Sequence, residues 1–146
     1  MSVTKTFTVT VANPGAGNRY YIDGVLQETV NLIEGNTYRF DQSDSTNGGH
    51  PFKFSTTSNG THNGGSEYTT GVTINGTPGQ AGSYTEIAVA IGAPQLYYYC
   101  QYHSGMGGQA NTVDSSVIRV LTVTVANPGA GNRYYIDGVL QETVNL

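Results

Sequence analysis

The chain copies part of itself. Residues 8–32, TVTVANPGAGNRYYIDGVLQETVNL, recur without a single change as residues 122–146. Nothing else in the sequence limits the fold as strongly, because both copies must open the same structural unit. The match thins but continues upstream, with Ser2-Val3 set against Ser116-Val117, Lys5 against Arg119 and Phe7 against Leu121. One unit is therefore expected over residues 2–114, with 115–146 as the start of a second, cut off after its third strand. So short a stretch cannot bury a core of its own. Left alone it exposes Leu121, Val123, Val125, Tyr135 and Ile136 beside unpaired backbone groups, an invitation to edge pairing. Because the copies are identical, the C-terminal copy of one molecule can take the place of the N-terminal copy on the next. Contacts of that head-to-tail kind propagate unless the rotation closes.

Within the unit the periodicity is that of strands. Thr6 to Ala12 alternates, with Phe7, Val9 and Val11 on one face and threonines on the other. Arg19 to Ile22 and Val25 to Gln27 flank Asp23-Gly24, a two-residue hairpin signal. Thr29 to Leu32 and Thr37 to Phe40 are separated by the turn Glu34-Gly35-Asn36. Phe52 to Ser55, Tyr84 to Ile91 and Leu96 to Cys100 complete the clear strands, and Thr56 to Ser83 reads as a long polar stretch. Glycine (20 residues) and proline (5) supply the turns. Short strands between turn signals predict an all-β antiparallel sandwich or barrel.

Charge narrows the partners. Lys+Arg total 6 against Asp+Glu 10, a net charge of −4, and no basic stripe is present to neutralise phosphates. Nucleic acid is thereby excluded as an expected partner. No apolar run is long enough for a membrane-spanning helix, and the first residues lack the apolar core of a signal peptide. Two Asn-Gly-Thr sequences, 59–61 and 75–77, read as turns. The single cysteine excludes an intrachain disulfide and leaves Cys100 as a buried thiol, a ligand or a nucleophile.

The chemistry gathers around that cysteine. Cys100, His103 and Met106 make C-x2-H-x2-M at the end of a predicted strand, with Gly105, Gly107 and Gly108 letting the loop fold back. Thiolate, imidazole and thioether on one loop suit copper better than magnesium, calcium or structural zinc. A trigonal copper site needs a second imidazole. His50 opens His50-Pro51-Phe52-Lys53-Phe54, where parity turns it the way the two phenylalanines point, toward the core. His62, in Asn59-Gly60-Thr61-His62-Asn63-Gly64-Gly65, has no apolar company and reads as a solvated loop residue. Taken singly, a cysteine, a methionine or a core histidine is ordinary packing; the spacing together with the upstream His-Pro-Phe strand points to a metal.

The stretch Leu96 to Gly107 resembles the copper loop of the cupredoxins, the small blue copper proteins, and its short spacing is most like that of amicyanin. The resemblance implies a cupredoxin-like Greek-key β-sandwich over 2–114 holding one type 1 copper ion. His50, Cys100 and His103 would be its equatorial ligands and Met106 its weak axial one. The residue after the first histidine is usually an asparagine that ties the two ligand loops together; here it is Pro51, with neither a backbone N–H nor a polar side chain. Residues 38–44, 49–52 and 97–100 also resemble tandem cupredoxin-like modules in proteins of marine phages and bacteria. That second likeness implies a structural or adhesive role.

Three classes of function follow. An electron carrier needs a buried ion with soft ligands and a redox partner protein. A structural module needs neighbouring repeats, with copper structural or lost. An enzyme is not expected: a trinuclear copper cluster needs many paired histidines, and the chain has 3 histidines, none in His-x-His. No nucleophile elbow supports hydrolysis, and Cys100 within a run of tyrosines reads as packed rather than accessible. The ligand set favours the carrier; the repeat favours the module.

Overall fold

The computed structural model describes residues 2–117, 123–126, 133–136 and 139–140. Chain contacts divide it into two compact units, the first ending at Ser115 and the second beginning at Ser116.

In the first unit, alternation produces the strands that it predicts. Strands β1 (Lys5–Ala12), β2 (Arg19–Ile22) and β3 (Val25–Leu26) form a meander, with the β2–β3 hairpin closing at Asp23-Gly24. Then come β4 (Val30–Ile33), β5 (Thr37–Asp41), a 3₁₀ turn (Ser45–Asn47) and β6 (Phe52–Ser55). The rest are β7 (Glu67–Tyr68), β8 (Val72–Asn75), β9 (Tyr84–Ala88), β10 (Leu96–Cys100) and β11 (Gly108–Val113). They build two sheets, ordered β3-β2-β1-β5-β9-β8 and β4-β11-β10-β6-β7.

The sandwich is not wholly antiparallel: β1 pairs parallel with β5, and β11 with β4. Parallel neighbours need a long crossover. The chain supplies one by passing from β1 through the meander and β4 in the second sheet before returning as β5. Three strands escape the sequence pattern. Two of them, β7 and β8, lie within the polar stretch 56–83. At the edge of the first sheet β8 leaves Ile74 53% exposed, so no buried face imposes alternation. The third, β11 (GQANTV), is held in place by ladders on both sides rather than by its own periodicity.

The core is aromatic. Phe7 stacks on Phe40 (ring centroids 4.9 Å apart), Phe40 on Phe52 (4.7 Å) and Phe52 on Tyr98 (5.0 Å). The column thus crosses from the first sheet to the second. Such offset stacks add roughly 0.5–1.5 kcal/mol each beyond the area they bury. The column also anchors β6 and β10, whose ladder sets Cys100 opposite Phe52.

In the second unit β12 (Val123–Ala126), β13 (Arg133–Ile136) and β14 (Val139–Leu140) form a three-stranded sheet in sequence order. Its register copies the first: Val123 faces Ile136 as Val9 faces Ile22. Burial does not copy it. Val9 and Val11 are 0% and 7% exposed, whereas Val123 and Val125 are 56% and 58% exposed. Leu121 and the side chains of Tyr135 and Ile136 lie outside the described residues.

Candidate metal centre

Four residues were expected to converge, and three of them bring donor atoms together. His50 follows the 3₁₀ turn, its N–H donating to the Asn47 carbonyl (2.8 Å). Its own carbonyl accepts from the Tyr20 hydroxyl (2.7 Å) and from Nε2 of Gln42 (2.8 Å), while Oε1 of Gln42 accepts from the Phe52 N–H (3.0 Å). Gln42 therefore brackets the His50-Pro51-Phe52 backbone from inside the core. Cys100 ends β10, fully buried, and His103 follows on the exposed loop.

Nδ1 of His50 lies 3.1 Å from Nδ1 of His103, and Sγ of Cys100 lies 3.7 Å and 3.4 Å from those two atoms. All three donors point inward. With metal–nitrogen distances near 2.0 Å and metal–sulfur near 2.3 Å, a trigonal ion would space two nitrogens by roughly 3.5 Å and nitrogen from sulfur by roughly 3.7 Å. The donor triangle matches to within a few tenths of an ångström. Met106 is buried on the same loop, its carbonyl accepting from the Tyr20 N–H (2.9 Å), and it lines a shallow pocket with His103, Tyr102 and Asn18.

Electrostatics agree with this use of the rings. Burial, and then the neighbouring His103, hold His50 below the ordinary histidine value of 6.5, so its ring stays neutral, the form that coordinates metal. Burial, and then Cys100, push the Tyr20 phenol well above its usual range. Tyr20 therefore remains a hydroxyl donor.

No family model matches the sequence, and no curated protein matches it. Solved structures do. A mutant of rusticyanin is 14% identical, with 77% of this chain and 80% of that one covered, at a TM-score of 0.52. Rusticyanin from Thiobacillus ferrooxidans is 15% identical over 77% and 79% of the two chains, with a TM-score of 0.46. The fold is cupredoxin-like. At such identity the likeness speaks for the fold alone, and the metal centre rests on its own geometry.

Within this cupredoxin fold the missing asparagine after His50 has a backbone replacement. The Pro51 carbonyl accepts from the Gln101 N–H (3.0 Å), joining the segments that carry His50 and Cys100 directly beside the cysteine. His62 corrects the sequence reading. It is half-buried, with Nε2 2.7 Å from the Cys100 carbonyl and its ring edge-on to Tyr99 at 6.0 Å. Asn59, three residues earlier, was also missed: it bonds the backbone N–H of Gly105 and the hydroxyl of Ser104. The signal lay in the glycines of that loop. A methyl on Gly60 would run into the Tyr99 ring, so glycine there allows the loop to lie flat against β10.

Proposed function

We propose that the protein binds one type 1 copper ion and carries electrons to or from a redox partner protein. His50, Cys100 and His103 are the equatorial ligands and Met106 the axial one, a set whose spacing on the loop is most like that of amicyanin. The observation that carries this reading is the convergence of two Nδ1 atoms and one Sγ within 3.1–3.7 Å. When bound, such an ion supplies a one-electron couple whose potential follows its ligands and their surroundings.

The chain's own residues do the rest. Tyr20 and Gln42 fix the His50 backbone, and the aromatic column beneath keeps water out. A His50 that coordinates through Nδ1 carries its proton on Nε2, which lies 3.3 Å from the side-chain amide of Asn18. The structure sets Nδ2 of Asn18 toward that ring nitrogen; the amide turned end for end would offer its oxygen to the Nε2–H and so fix the ring's orientation when Nδ1 coordinates. His103 is exposed where His50 and Cys100 are buried, so the partner docks over His103 and Tyr102.

Metal-free protein given one equivalent of Cu(II) should develop an intense visible band from thiolate-to-copper charge transfer. Cys100→Ala should abolish the band, and His50→Ala should lose its type 1 character. Copper bound at a hundredfold excess over its dissociation constant should raise stability by roughly 2.7 kcal/mol, an effect absent from Cys100→Ala. A wild-type protein that stays colourless and does not shift would end this reading. The repeated hairpin supports a second one, a structural module of a tandem array. Copper that binds but cannot be reversibly reduced would favour that alternative.

A further inference from the structure

We propose that Asn59 and Gln27 are positioning residues of the metal centre, together clamping the Gly105 peptide that carries the loop between His103 and Met106. This rests on the ligand assignment made above.

Backbone bonds fasten the loop near its ends, from the Gln101 N–H to Pro51 and from the Tyr20 N–H to Met106. Between them the crest is held by side chains. Oδ1 of Asn59 accepts from the Gly105 N–H (2.8 Å), and its Nδ2 donates to Oγ of Ser104 (2.8 Å). From a different segment, Nε2 of Gln27 donates to the carbonyls of Gly105 (3.1 Å) and Gly107 (2.7 Å). One amide thus takes the N–H of Gly105 and the other its C=O.

Two further facts set this pair apart from ordinary surface polar contacts. Asn59 (φ 62°) and Gln27 (φ 45°) are two of the three non-glycine residues described with left-handed backbone. Such conformations are costly and persist where surrounding structure imposes them, often at functional sites. The bonds to Gly105 are also exposed, where a hydrogen bond adds little to folding because water replaces it readily. Their value lies in fixing where His103 stands relative to Cys100. The same segment holds the cysteine itself, through Nε2 of His62 on the Cys100 carbonyl.

The test compares Asn59→Ala, Asn59→Gly, Asn59→Asp and Gln27→Ala with wild type. Asn59→Gly keeps the backbone conformation and loses the amide. Asn59→Asp keeps an acceptor for Gly105 and can accept from the Ser104 hydroxyl. Three readouts are needed: hydrogen exchange at the Gly105 amide in metal-free protein, the position of the copper charge-transfer band, and the rate of copper loss to a chelator. Outer contacts of this kind typically change metal affinity by 10–100-fold. Asn59→Ala, Asn59→Gly and Gln27→Ala should therefore lose copper on the order of tenfold faster, with a displaced band and a melting temperature close to wild type. The two Asn59 variants should also expose the Gly105 amide to exchange, and Asn59→Asp should restore all three readouts. Unchanged band, release rate and exchange in Asn59→Gly would overturn the clamp. A wild-type protein that takes up no copper would refute the ligand assignment instead, and Gly105 exchange would still decide whether the clamp exists.

Discussion

His50 shows how a single residue's place can follow from parity. Residues 50, 52 and 54 were expected on one face, and in the structure His50, Phe52 and Phe54 are 8%, 1% and 0% exposed. That inward turn sets up a pH dependence. The unfolded chain takes up a proton on His50 near its ordinary value of 6.5, whereas the folded chain resists protonation until lower pH. The contribution to stability is therefore complete above 6.5 and is lost as pH falls below that value and through the depressed folded one. Melting of metal-free protein should drop on acidification through this window, and His50→Gln should flatten that part of the profile. A wild-type profile as flat as the variant's would contradict it. His62 shows the opposite case. Its hydrogen bond to Cys100 depends on a glycine loop lying against Tyr99, a tertiary contact for which no local period exists.

Among the elements, Phe52–Ser55 and Leu96–Cys100 were legible to the residue, because each is a short aromatic-rich run between turn signals; burial alternates only over their first three residues, and both faces are covered at the ends nearest Ser55 and Cys100. β11 was not legible, although it lies between β4 and β10 and follows the loop that carries His103 and Met106. A strand with partners on both edges takes its place from their hydrogen bonds, and its own side chains need not alternate. Gly107, at the junction of loop and strand, is where this matters most. A methyl there would collide with the Tyr98 carbonyl, and backbone cannot yield as a flexible side chain can. Gly107→Ala should therefore destabilise the unit by more than about 2 kcal/mol, within the range of severe core or backbone substitutions. It should also broaden or abolish the copper band. Denaturant unfolding of the metal-free variant measures the first effect and titration with Cu(II) the second.

At the scale of the whole molecule, the sequence repeat was readable from identity, while strand spacing narrowed the fold to a sandwich or barrel and only the likeness of the Leu96 to Gly107 stretch to a cupredoxin copper loop selected the sandwich. The two parallel ladders were not readable, because register between distant strands is settled by crossovers that local pattern does not encode. Removing residues 116–146 should leave the copper spectrum and the melting of the first unit unchanged, since every donor atom lies before Ser115. If the exposed Val123 and Val125 mediate self-association, sedimentation of the full chain should depend on concentration, and the truncated chain's should not. Equal behaviour of both would rule out pairing through that hairpin.

The donor atoms themselves carry a kinetic consequence. His50 is separated from Cys100 by 50 positions and from His103 by 53, and they meet only once β6 has zipped onto β10. Pairing strands so far apart in sequence is slow compared with forming a local hairpin, and an ion held this way has no preformed pocket in the unfolded chain. During refolding in copper, colour should lag behind the far-ultraviolet signal of sheet formation. The blue band then acts as a clock for the moment the two halves of the sandwich close.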